Sequence, residues 1–197
     1  MIKNLITVSF ILSAWISNQS LHSNSSVAFN RYIKSLNQIP LPLSHSTKEP
    51  NFPIISSNYN KIDFERFKYE GTVKPLGILF NDNKHIVTID LSIGDEGLVP
   101  FLVCFDKEGH KLDSLGPYQL SGGGDGYDAV ERLLVTQDKR IMVTDTIKTW
   151  KNNSKGNVIS STTKTSIGIT YYFLTSNGKF IHKKRKIIKE VALKGNS

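Results

Sequence analysis

Cysteine is nearly absent from this chain: Cys104 is the one thiol among 197 residues. One thiol excludes an intrachain disulfide, so stability has to come from packing and backbone hydrogen bonding. There is no Gly-x-Ser-x-Gly elbow, the turn that anchors many hydrolases. The five histidines, at 22, 45, 85, 110 and 182, form no i, i+4 pair and no paired-ligand spacing, so no zinc site is expected. No Gly-Lys-Ser/Thr follows the one glycine-rich run, and a nucleotide phosphate loop is not expected either. Excess negative charge is also lacking, since the formal charge is +8. That charge is concentrated. From Lys179 onward seven cations face only Glu190, Lys3 adds one more at the start, and the rest of the chain is close to neutral. Aromatic residues are not interleaved with the basic run His182–Lys186, which argues against a nucleic-acid partner.

What is present begins with the N-terminal segment. Lys3 precedes a run from Leu5 to Ile16 that is apolar apart from Thr7, Ser9 and Ser13, and polar Ser17–Ser20 follows. This is the layout of a secretory signal. A helical run of that length covers ~18 Å, short of a ~30 Å hydrocarbon core. Residues 1–20 are therefore predicted to be a signal peptide. The protein is expected to be exported to a periplasmic or extracellular space, with a retained membrane anchor as the alternative. Residues 21–28 are Ser/Asn-rich and read as a disordered linker. Residues 29–197 then form a single β-rich domain, large enough for one core.

Phe29, Tyr32, Ile33 and Leu36 recur at i, i+3, i+4, i+7, which predicts a short amphipathic helix over 29–36, ended by Pro40 and Pro42. Residues 44–60 read as an irregular crossing loop, and 62–69 as either helix or strand. From Lys74 the pattern changes to apolar runs separated by polar turns at 81–84, 106–109, 136–139 and 175–178. Gly109 and Gly178 supply the positive φ such turns need. The fold class expected is mainly β: an antiparallel meander of about eight strands in four hairpins, as a curved sheet, an open barrel or a sandwich, with a short N-terminal helix. Four hairpins are too few for a closed propeller. Val99–Phe105 is apolar throughout and is placed mid-sheet, covered on both faces. Ile167, Ile169, Tyr171 and Phe173 alternate on one face, read as the buried one.

The segments Phe29–Lys34, Ile39–Leu43 and Phe105–Leu115 resemble those of a loose group of small exported β-rich proteins of unknown function. The resemblance implies export and a β-sheet fold. Members often carry a lipidated cysteine, which this chain lacks, and the resemblance implies no activity or site.

Two stretches carry candidate chemistry. Ser121–Asp128 is glycine-rich, and consecutive glycines let backbone amides converge on an anion. Asp125, Asp128 and Glu131 are the ligand-binding candidates there, although EF-hand spacing is absent. The plain alternative is a flexible connection between hairpins. In the tail, Lys183, Lys184, Arg185 and Lys186 are candidates for a polyanion, an anionic surface or an envelope component. The alternative is an edge strand guarded by charge. Cys104 could be drawn with His85 or His110 as a nucleophile and base, but its apolar strand predicts a buried, inert thiol. His85 and His110 follow turns and are expected to be solvated. No catalytic residue, metal or cofactor is assigned. The leading expectation is an exported, non-enzymatic β-scaffold protein acting in binding or structure at the cell envelope. The alternatives are polyanion or membrane-surface binding through the basic tail, and an enzyme with its site near residues 121–131.

Overall fold

The computed structural model describes residues 25–47, 59–94 and 97–192. Helix α1 covers residues 25–34, strand β1 Leu43–Ser46, and helix α2 Lys61–Phe67. The next four strands are β2 (Val73–Asn81), β3 (Ile86–Gly94), β4 (Gly97–Phe105) and β5 (Lys111–Leu115). They pair antiparallel in chain order as one sheet. The second sheet takes β6 (Gly122–Gly124), β7 (Tyr127–Val135), β8 (Ile141–Asn152), β9 (Val158–Leu174), β10 (Phe180–His182) and β11 (Lys186–Ala192). Its central order is β1-β7-β8-β9-β10. The strands β1 and β6 share one edge of β7 end to end, and β10 and β11 share the far edge of β9 in the same way.

Layering follows from alternation along each strand. In β4, Leu102 and Cys104 point toward the second sheet, into a core with Leu76, Ile89, Leu133, Ile141 and Tyr172. Val103 and Phe105 point the other way, against Phe29 and Tyr32 of α1 and Phe64 and Phe67 of α2. The apolar run of β4 is thus covered on both faces, as its sequence requires. Burial raises the Cys104 thiol to about 12, so it is protonated and inert at neutral pH. The helices are locked to each other by Arg31, which donates from Nε and Nη2 to Asp63 at 2.5 and 2.7 Å. Asn60 caps α2 by accepting from the Asp63 amide.

The protein is therefore mainly β, with two antiparallel sheets packed face to face and both keeping open edges. Several expectations change. Helix α1 begins at residue 25, so part of the segment read as linker forms its first turn, because Ala28 finds a buried place beside Phe29. Residues 1–24, including the segment predicted to be a signal peptide, lie outside the described residues. The segment read as a loop over 44–60 opens with most of β1, its residues 48–58 lie outside the described residues, and the ambiguous 62–69 segment holds most of α2. The last hairpin is longer than expected. Its outgoing strand β9 starts at Val158, and the return splits into β10 and β11. The face of β9 is also reversed: Tyr172 enters the core, while Ile167, Ile169, Tyr171 and Phe173 lie half-buried on the outer side. His85 is buried rather than solvated, because the β9–β10 turn folds over it at Gly178. Among the described residues no helix is long and apolar enough to cross a membrane.

Candidate functional site

Register across the second sheet builds the site row by row. On its inner face Val135, Ile141 and Tyr172 lie side by side, then Leu133, Val143 and Thr170, then Glu131, Asp145 and Gly168. The first two rows are largely apolar. The third sets two carboxylates opposite each other, each 2% exposed. Like charges facing across strands are destabilising, so each needs its own counter-group.

Asp145 has a guanidinium. Arg185 lies in the connection between β10 and β11 and donates from Nε at 2.8 Å and from Nη2 at 2.5 Å. This two-pronged geometry is the strong form of the pair. It also raises the Arg185 pKa, chiefly through the hydrogen bonds to Asp145. The path crosses β9 at Gly168, where a Cβ would sit 2.4 Å from Arg185 Nε. A larger residue there would have to push the guanidinium off this path.

Glu131 has backbone. Its Oε1 accepts from the Gln119 amide at 3.1 Å, and its Oε2 accepts from the Leu120 amide, the Ser121 amide and Ser121 Oγ at 2.8, 2.7 and 2.9 Å. Three consecutive amides converge on an anion, and that anion is the protein's own side chain. The chain leaving β5 is thereby tied to the second sheet. Further hydrogen bonds fix the same crossing segment. Tyr172 Oη donates to the Pro117 carbonyl, Tyr127 Oη to the Leu120 carbonyl, and Gln119 Nε2 to the Gly116 carbonyl. Tyr118 Oη donates to the His45 carbonyl and accepts from the Leu133 amide. With its one proton committed, it accepts from His45 Nδ1 at 2.8 Å, which assigns the imidazole proton to Nδ1. Burial lowers His45 to about 4, so the ring is neutral at neutral pH.

Between the crossing segment and the inner face of β9 and β10 lies a cavity of about 500 Å³. Leu115, Leu120 and the Tyr172 ring supply its apolar wall, and Gln119, Glu131, Thr170, His182, Lys184 and Arg185 its polar one. A second cleft of about 580 Å³ lies among the turns at the other end. There Lys139 pairs with Asp82 and Arg140 with Asp138, so those charges are spent on one another.

The residues singled out in the sequence are placed differently from one another. Glu131 is buried and lines the cavity. Asp128 is three residues earlier on the uninterrupted strand β7, hence on the opposite face, across from Lys148. Asp125 sits in the β6–β7 turn and accepts from Asn152 Nδ2 at 3.0 Å. The three carboxylates are not brought together, and among the described residues no group of three or more His, Cys, Asp or Glu is arranged to hold a metal ion. In the basic run, Lys184 and Arg185 line the cavity, Lys183 lies on the outer face with Nζ 5.2 Å from the centre of the Phe173 ring, and Lys186 opens β11. Sequence reasoning missed Asp145, Gly168 and Tyr172. Asp145 alone left a signal, since it falls in phase with Ile141 and Val143.

Against known proteins, the chain matches no family model, no curated protein and no solved structure.

Proposed function

We propose that this chain is an exported, non-enzymatic β-scaffold protein that binds a small ligand in the cavity bounded by Glu131, Thr170, Tyr172 and Lys184. The carrying observation is that the cavity wall is fixed in advance: four hydrogen bonds to Glu131 hold residues 119–121 in place. Pre-organised, mostly apolar concavities with a few directed polar groups are what ligand sites require. Binding is favoured over catalysis because the two carboxylates of the inner-face row beside the cavity are engaged by the fold: Glu131 is held by four donors and Asp145 by a guanidinium. Export rests on the leader sequence and is tested by recovering the protein outside the cytosol with residues 1–20 removed.

The binding reading is tested by ligand-observed NMR on the full chain, with a library of small aliphatic and aromatic acids and their neutral amides. Hits are expected to lose binding in Thr170→Trp, which fills the cavity while Glu131 and Arg185 keep their partners. An empty screen, or hits that bind Thr170→Trp equally well, contradicts it.

A further inference from the structure

The second sheet has one face in the core and one that is not. On the outer face, register sets Leu134, Met142 and Tyr171 in a row, then Arg132, Thr144, Ile169 and Lys186, then Val130, Thr146, Ile167 and Lys189. None of these side chains is buried. Strand β9 puts an apolar stripe of Ile167, Ile169 and Tyr171 on this face, β8 adds Met142, Thr144 and Thr146, and the β11 margin is lined by lysines, with Lys183 beside Phe173 and Lys148, opposite Asp128, one row further along. Charge along the chain is as one-sided. From residue 146 to residue 192 there are ten Lys or Arg and a single acid, Glu190, which register places on the other face. Exposed Val158, Ile159, Ile181, Ile187, Ile188 and Val191 fall in the same stretch.

We propose that the outer face of the second sheet docks on an anionic lipid bilayer. An apolar stripe beside a margin of lysines matches a surface that offers hydrocarbon beneath a layer of negative headgroups. A second copy fits worse, because stacking two such faces sets lysine on lysine. A soluble polyanion accounts for the lysines but leaves the Ile167, Ile169, Tyr171 and Val191 surface unused. The proposal is independent of the cavity.

The test is partitioning of the full chain onto phosphatidylcholine vesicles with and without phosphatidylglycerol. The expected result is binding that requires phosphatidylglycerol and weakens with salt. Lys183→Gln, Lys186→Gln and Lys189→Gln together should lower it about a hundredfold, at about fivefold for each lysine near the surface. The single substitutions carry the test if the triple variant does not fold by circular dichroism. Lys155→Gln, Lys164→Gln and Lys184→Gln remove the same charge away from this face and should cost much less. Ile167→Thr with Val191→Thr should weaken vesicle binding several-fold and leave heparin binding alone. No dependence on phosphatidylglycerol, an equal loss in the off-face variant, or heparin binding as tight as vesicle binding with no effect of the apolar variant, would each overturn it.

Discussion

Asp90 is a fully buried carboxylate. Its Oδ2 accepts from the Tyr69 amide at 2.7 Å, while Oδ1, Thr88 Oγ1 and Tyr32 Oη are buried without an aligned hydrogen bond among the described residues. Burial is the main cause that pushes Asp90 up to about 7, against the attraction of Lys111 and Lys68. The folded state therefore holds a proton between about pH 4 and pH 7 that the unfolded chain has released. The stabilisation tied to that proton is complete below pH 4 and is lost as the pH rises through 7. His45 acts in the opposite sense, because its lowered pKa costs stability as the pH falls from 6.5 toward 4. Comparing Asp90→Asn with the parent isolates the carboxylate. In urea melts the variant should be more stable at pH 8 by roughly 2–4 kcal/mol, with the gap closing below pH 4. Equal stability at both pH values would mean that Asp90 is ionised without strain.

Elements here are held in register by a few polar ties between strands. Strand β11 is exposed at every residue and, among the described residues, pairs only with β9, through a bulge between Ile187 and Lys189. Its anchor is Arg185, threaded past Gly168 to Asp145. Removing the guanidinium leaves two buried carboxylates facing each other, so Arg185→Gln should cost about 3–5 kcal/mol. Adding Asp145→Asn should restore most of that, measured as the interaction energy of a double-mutant cycle. Additive losses would show that the pair is incidental.

The hairpin turns were legible because the chemistry is local. The turns closing at His110, Arg140 and Lys179 each carry a hydrogen bond from the amide that opens the turn to the carbonyl that closes it. Two of them place glycine at the left-handed position, Gly109 and Gly178, and the third places Lys139 there at φ 63°. The first half of β9 was not legible. Val158–Ser166 is rich in Ser and Thr, with little apolar alternation to mark a strand. The face of β9 has a physical reason that its alternation does not show: Gly168 falls on the inner side, where Arg185 crosses, and that phase turns Ile167, Ile169, Tyr171 and Phe173 outward and Tyr172 inward.

At the scale of the molecule, two sheets meet along an apolar core that becomes polar at the Glu131–Asp145 row, and the cavity opens there. That boundary was only half legible in the sequence. Glu131 stood out as an acid in an apolar strand, and residues 121–128 as a place where amides converge. The convergence falls just before it, on Gln119–Ser121, and serves Glu131 itself. Arg185 was hidden inside a run of lysines, where composition reads as a solvated patch. No local pattern joins it to Asp145, because the link exists only once β8 and β9 have paired.

Glu131 holds the crossing segment as a rigid wall. The sharpest probe of that rigidity is amide hydrogen exchange at Leu120 and Ser121. Both amides should exchange as slowly as the β7 and β8 ladder in the parent chain and open by at least tenfold in Glu131→Gln, with Leu133 and Val143 still protected. Fast exchange at Leu120 and Ser121 in the parent, at the rate of a solvent-exposed loop, would contradict it.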